Sequence, residues 1–122
     1  MAKILVVEDS NELRNQLKLF LSTDGHEVIE AIDGKHGYEI CMKATGPIDI
    51  IIMDQNMPGM TGLEMIRAIR PDPRYKDTPV IFHTTESKFD LRFQGKDLGV
   101  KGWLVKPANP GSLKRLVGQM IS

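Results

Sequence analysis

The chain has 122 residues, which suits one domain with one core, and its 41% hydrophobic content argues against disorder. Acids and bases balance to a formal net charge of +0, so no basic excess is present to hold nucleic acid or an anionic membrane. The single cysteine, Cys41, excludes an internal disulfide and fits a reducing cytoplasm.

Ile4-Leu5-Val6-Val7 is the first predicted strand, and it ends in Glu8-Asp9-Ser10. That apolar run is too short for a signal peptide, and no stretch of the chain is long enough to span a membrane. Asp9 or Ser10 can cap the helix that follows, in which Leu13, Leu17, Phe20 and Leu21 share one face. Asp24-Gly25 stops it with a left-handed cap. Glu27 to Ala31 reads as the second strand. Asp33-Gly34 opens a shorter helix carrying Tyr38, Ile40, Cys41 and Met42, with Gly37 a weak point inside it. Gly46-Pro47 breaks that helix.

Ile50-Ile51-Ile52-Met53 is an unbroken apolar run, the mark of a strand buried on both faces of a parallel sheet. It ends in Asp54, and Met57-Pro58-Gly59-Met60 forces a bent loop. Thr61 to Arg70 is the third helix, with Leu63, Ile66 and Ile69 inward. Pro71, Pro73 and Pro79 bracket a rigid connection to the fourth strand, Val80 to His83, which ends in Thr84-Thr85. Ser87 to Leu98 is a weak fourth helix, carrying Phe89 and Phe93 and interrupted by Gly95. Trp103-Leu104-Val105 is the fifth strand and ends in Lys106-Pro107. Asn109 to Ile121 is the last helix, with Leu113, Leu116, Val117 and Met120 inward.

Strand followed by helix, repeated to the end, predicts an α/β fold: one doubly wound five-stranded parallel sheet flanked by five helices, in a single domain over residues 1–122. In such a sheet chemistry collects at the carboxyl edge. That edge presents Glu8 and Asp9, then Asp54, then Thr84, then Lys106. Three carboxylates in one cleft repel unless a cation joins them, and oxygen ligands with open water positions suit Mg²⁺ rather than zinc. An aspartate beside a metal, a hydroxyl and an ammonium is a set for phosphoryl transfer through an aspartyl phosphate. Each residue alone has a blander reading, as cap, strand end or surface lysine; their shared position at the ends of different strands lifts the set. His26, His36 and His83 show no ligand pattern and read as surface or core residues, and the Met57/Met60 pair as loop packing.

On these residues the chain resembles the receiver domain of bacterial two-component response regulators, in its single-domain CheY-type form. The match rests on Glu8-Asp9, on Asp54-Gln55-Asn56-Met57-Pro58-Gly59-Met60-Thr61-Gly62, on Thr84 and on Lys106-Pro107, and spans about Lys3 to Met120. The resemblance implies a flavodoxin-like fold and a signalling module, not an enzyme, that assists its own phosphorylation and dephosphorylation. Asp54 would take a phosphoryl group from a histidine kinase or a phosphotransferase. Glu8, Asp9, Asp54 and the backbone carbonyl of Asn56 would hold Mg²⁺, while Thr84 and Lys106 bond the phosphoryl oxygens. Thr84 and Trp103 would form the switch, Asn56 and Glu86 would tune dephosphorylation, and Lys106-Pro107 is expected to be a cis peptide. The output would be a partner protein, such as a flagellar switch or another signalling protein, in the cytoplasm, with chemotaxis the implied pathway and no nucleic acid or membrane involved. Three positions depart from the family's pattern: the large Trp103 stands where Tyr or Phe is usual, β-branched Thr85 follows the hydroxyl, and residues 87–98 carry two phenylalanines and Gly95.

Other readings fit less well. A haloacid-dehalogenase-type phosphatase also uses a strand-end aspartate, but needs a second aspartate where this chain has Asn56. A flavodoxin-type flavin carrier needs a phosphate loop after the first strand, where Glu8-Asp9 would repel the phosphate. A receiver-like adaptor that acts without phosphorylation is the remaining alternative.

Overall fold

The structure, a computed structural model, describes residues 2–85 and 95–121. In chain order it contains β1 (Lys3–Val7), α1 (Asn11–Thr23), β2 (Glu27–Ala31), α2 (Gly34–Lys43), β3 (Ile50–Met53), α3 (Gly62–Ile69), β4 (Val80–Thr84), β5 (Val100–Val105) and a C-terminal helix (Pro110–Ile121). The strands form one parallel sheet in the order β2-β1-β3-β4-β5. Most of the predicted fourth helix lies outside the described residues, Phe89 and Phe93 included. Residues 95–97 are helical and sit where that helix should end.

The central strands are apolar on both sides because both sides are covered. Leu5, Val7, Ile51, Met53, Val80 and Phe82 pack against Cys41 of α2 and Leu63, Met65, Ile66 and Ile69 of α3. Ile4, Val6, Ile50, Ile52 and Ile81 face Leu17 and Leu21 of α1 and Leu113 and Val117 of the C-terminal helix. Phe20, Leu116 and Met120, expected inward, lie half-buried at the margin of that second core.

The caps follow from the sequence. Ser10, not Asp9, caps α1, its side chain accepting the Leu13 N–H at 3.3 Å. Asp24 ends that helix, and Gly25 follows at φ 86°, the left-handed conformation that glycine takes most readily. Thr61 and Glu64 form a capping box at the start of α3. Gly37 is a close-packing residue rather than a flaw. A Cβ there would lie 3.0 Å from Met65 of α3 and 3.0 Å from Val7 of β1, so a larger residue would push α2 off both.

The fifth strand is longer than expected, starting at Val100 rather than Trp103. It is the edge strand, so its residues alternate between buried and exposed, and Lys101 and Gly102 break the apolar run that marks central strands. A register shift between Val80 and Ile81 sets Val80 beside Val100 but Ile81 beside Gly102, leaving Lys101 as the extra residue. Trp103 therefore lies within the strand and not at its start. β4 likewise runs one residue further than expected, through Thr84.

The connection from α3 to β4 is fastened by its own arginines. Arg70 donates to the carbonyls of Leu98, Tyr75 and Thr78 at 2.9, 2.7 and 2.7 Å, joining the end of α3, the loop and the turn before β5. Arg74 donates to the Ala44 carbonyl at 2.9 Å and Tyr75 to the Cys41 carbonyl at 2.5 Å, so this loop caps the end of α2.

Candidate functional site

The strand order reverses between β1 and β3, and their carboxyl ends open side by side at that switch point. The Asp54 N–H donates to the Val7 carbonyl at 3.2 Å, which holds the residue after β3 against the end of β1. Asp54 is only 4% exposed, and its Oδ1 accepts the Asn56 N–H at 3.2 Å. The loop beyond is drawn tight by Gln55, whose backbone carbonyl accepts the Gly62 N–H at 3.1 Å and whose Oε1 accepts the Leu63 N–H at 2.8 Å.

That closure leaves no room for a side chain at position 62. A Cβ on Gly62 would fall 2.6 Å from the Asp54 carbonyl oxygen, a backbone atom that cannot turn aside. Gly62→Ala should therefore destabilise the fold by about 1–3 kcal/mol and displace Asp54. Urea unfolding checks this; a variant as stable as the parent would show that the loop yields freely.

Around Asp54 the structure gathers much of the predicted set. Single carboxylate oxygens of Glu8, Asp9 and Asp54 all lie within 4.8 Å of one another. Lys106 reaches in from the end of β5, its Nζ 2.6 Å from Asp54 Oδ2 and 2.8 Å from Glu8 Oε1. The Lys106 N–H donates to the carbonyl of Thr84 at 3.2 Å, tying the ends of β4 and β5. Thr84 itself is buried, and Lys106-Pro107 is cis. Asn56 is exposed beside the cluster. Glu86 lies outside the described residues. Trp103 is half-buried, its ring edge-on to Phe82 with centroids 5.0 Å apart and planes at 87°. Gly95 gives the indole its place: a Cβ there would meet Trp103 at 3.0 Å.

Charge organises this cleft. Burial works against the Glu8 carboxylate, but the contacts with His83 and Lys106 and the Ser10 N–H, at 3.0 Å from Oε2, outweigh it and hold the carboxyl at about 2. At 3.6 Å the His83 Nδ1 is too far from Glu8 Oε1 for a formed hydrogen bond, so Lys106 and the Ser10 amide carry the depression. Asp9 is pushed the other way, by desolvation and then by the neighbouring Glu8. Lys106 is disfavoured as a cation by burial, yet Asp54 and Glu8 raise it above its ordinary value.

The depressed Glu8 makes a pH prediction. A carboxyl whose folded pKa is lowered contributes stability above its unfolded value of 4.5 and loses it as pH falls through about 2. The unfolding free energy of the parent should drop across that window more than that of Glu8→Gln, by at most about 3 kcal/mol. Parallel pH profiles for the two proteins would remove Glu8 from the linkage.

The acidic trio with one ammonium leaves the cleft about two negative charges in excess. Its donors are hard oxygens, and the exposed Asp9 leaves room for water ligands, so the residues present fit a divalent cation of the Mg²⁺ type.

His83 is a neighbour of this site that residue spacing alone does not mark. It is buried in β4 at 1% exposure, and among the described residues neither ring nitrogen has a hydrogen-bond partner. A buried donor left unsatisfied costs about 1–3 kcal/mol. A histidine closing an otherwise apolar strand was the available signal. His26 and His36 have local roles, each accepting a backbone N–H through Nδ1, from Ala2 and Ile32 respectively, at 3.1 Å.

A five-stranded parallel sheet with an acidic cluster and a lysine at its switch point defines a class, and comparison with known proteins identifies it. Residues 4–118 match the response regulator receiver domain, and the chain belongs to that family of signalling regulators. It is 38% identical over 116 residues to the chemotaxis protein CheY of Pseudomonas aeruginosa, covering 94% of this chain and 92% of that protein. It is 37% identical to CheY1 of Helicobacter pylori over 114 residues, 92% of this chain and 90% of the relative. Among solved structures, Vibrio cholerae CheY4 superimposes with a TM-score of 0.91 at 40% identity, covering 99% of both chains. Among the described residues no helix is long and apolar enough to cross a membrane.

Proposed function

We propose that this chain is a receiver, one unit over residues 1–122, that takes a phosphoryl group on Asp54 and changes its binding surface for a partner protein. The observation that carries the reading is the placement of Asp54: a buried carboxylate at the switch point, 2.6 Å from an ammonium and clustered with two further acids. The phosphoryl donor is a phosphohistidine of a histidine kinase or phosphotransferase. An Asp54 oxygen forms the new bond to phosphorus, the bond from phosphorus to the histidine nitrogen breaks, and that nitrogen keeps the electron pair.

Lys106 and the Thr84 hydroxyl serve the transferred oxygens as donors. Glu8, Asp9, Asp54 and the Asn56 carbonyl would hold Mg²⁺, whose positive charge would offset the negative charge of the phosphoryl oxygens. Asn56, exposed beside Asp54, and Glu86 set how fast water removes the phosphate. The output is a cytoplasmic partner, a flagellar switch or another signalling protein, and the chemotaxis names of the relatives support that pathway.

The switch runs through Thr84 and Trp103. Phosphorylation draws Thr84 toward Asp54 and frees space behind it, and the half-buried indole on Phe82 turns into that space. A coupling of about 1–3 kcal/mol suffices to bias it. Beryllofluoride with Mg²⁺ imitates the phosphorylated aspartate. Adding it should change both the emission of Trp103 and its quenching by iodide, with neither change in Asp54→Asn. The loaded protein, and not Asp54→Asn, should retain a partner in pull-downs. Fixed emission together with equal capture by both proteins would favour the adaptor that acts without phosphorylation.

A further inference from the structure

The carboxyl-edge cluster contains a residue that the reading above does not use. His83 lies two residues beyond Ile81 in β4 and pairs with Leu104 of β5, so by strand alternation it shares the side of the sheet covered by α1 and the C-terminal helix, the side to which Glu8, two residues beyond Val6, also belongs. It is 1% exposed, among the described residues both its ring nitrogens lack a hydrogen-bond partner, and Nδ1 lies 3.6 Å from Glu8 Oε1. A folded chain seldom keeps a buried imidazole with nothing to bond, because an apolar side chain of similar size would serve packing better.

The geometry around Glu8 supplies a reason. Glu8 Oε2 is held by the Ser10 N–H, whereas Oε1 depends on the Lys106 ammonium at 2.8 Å. Lys106 also contacts Asp54, and in the phosphorylated protein it serves a phosphoryl oxygen. Glu8 Oε1 then loses its donor while still buried. His83 is the polar side chain waiting behind it, and a movement of under about 1 Å brings Nδ1 to hydrogen-bond distance.

We propose that His83 is a positioning residue for Glu8: its Nδ1–H takes over Glu8 Oε1 when Lys106 withdraws, and keeps that carboxylate aimed into the divalent-cation site. The inference rests on the phosphoacceptor reading above, but concerns a residue that reading leaves idle. Partners that orient a metal-binding carboxylate typically change metal affinity tenfold or more when removed.

The test pairs metal affinity with stability in the full chain. Mg²⁺ is titrated, with beryllofluoride present to imitate the phosphorylated aspartate and draw Lys106 away, into the metal-stripped parent, His83→Leu and His83→Asn, followed by amide NMR shifts, and each protein is melted in EDTA. His83→Leu removes the orphaned nitrogens, so it should melt no lower than the parent, yet bind Mg²⁺ about tenfold more weakly. His83→Asn places an amide N–H close to where Nδ1 stood and should recover most of the affinity. Binding by His83→Leu within twofold of the parent overturns the role, as does weaker binding by both variants in proportion to lowered melting temperatures. A parent that binds no Mg²⁺ overturns the metal site itself, and is thereby told apart from a failure of His83 alone.

Discussion

Lys106→Met should lose about 3–5 kcal/mol of stability in EDTA and recover much of it in Mg²⁺. Glu8 and Asp54 are 1% and 4% exposed, and the ammonium between them is their shared counter-charge, at 2.8 and 2.6 Å. Removing one partner from a buried ion pair leaves the other charge desolvated and uncompensated, which costs far more than the intact pair contributes. Methionine keeps most of the stem and so isolates the charge. A divalent cation that binds only the folded protein offsets the loss by mass action, which a packing defect would not allow. Chemical denaturation in EDTA and in Mg²⁺ makes the comparison. A loss of the same size under both conditions would assign Lys106 a packing role, and no loss at all would mean that the carboxylates find another counter-charge. On the proposed function, in which the ammonium would donate to the transferred oxygens, phosphoryl uptake by this variant should fall as well.

What could be read from the sequence follows from how each part is buried. Ile50 to Met53 is apolar without interruption because β3 lies between two strands and under helices on both sides, so its type and end were plain. β5 has one free edge, so exposed Lys101 separates buried Val100 from buried Gly102, which is kept small by Leu116 and Ile81; its first half carries no apolar run for that reason. Gly37 looked like a weak helix position, since propensity is a property of one element while its purpose, contact with Met65 and Val7, involves three. The same division holds at the site. That Glu8, Asp9, Asp54, Thr84 and Lys106 end four strands was visible from the order of the chain. That Lys106 bridges Glu8 and Asp54, and that His83 stands behind Glu8, depends on strand adjacency and on side-chain length, neither of which a single sequence prints. Arg70 is a similar case: three of the carbonyls it binds come from the loop after α3 and the turn before β5, and only the folded chain brings them together.

In the proposed function Asp54 takes the phosphoryl group and a divalent cation is needed. Asp54 is buried at the switch point with an ammonium 2.6 Å away, and it closes the central strand β3; Glu8 shares that ammonium at 2.8 Å from the end of β1, while Asp9 is exposed. Asp54→Asn keeps the size of the side chain and removes the nucleophile, so the expected effect is complete loss of labelling rather than a partial change. The parent and Asp54→Asn are incubated with acetyl phosphate in Mg²⁺ and in EDTA, and the hydroxylamine-labile acyl phosphate is mapped by mass spectrometry after reductive trapping. One phosphoryl group on Asp54, seen in the parent with Mg²⁺ and missing from the variant and from EDTA, is the result predicted. Label that persists in Asp54→Asn, or that forms fully in EDTA, would contradict the account.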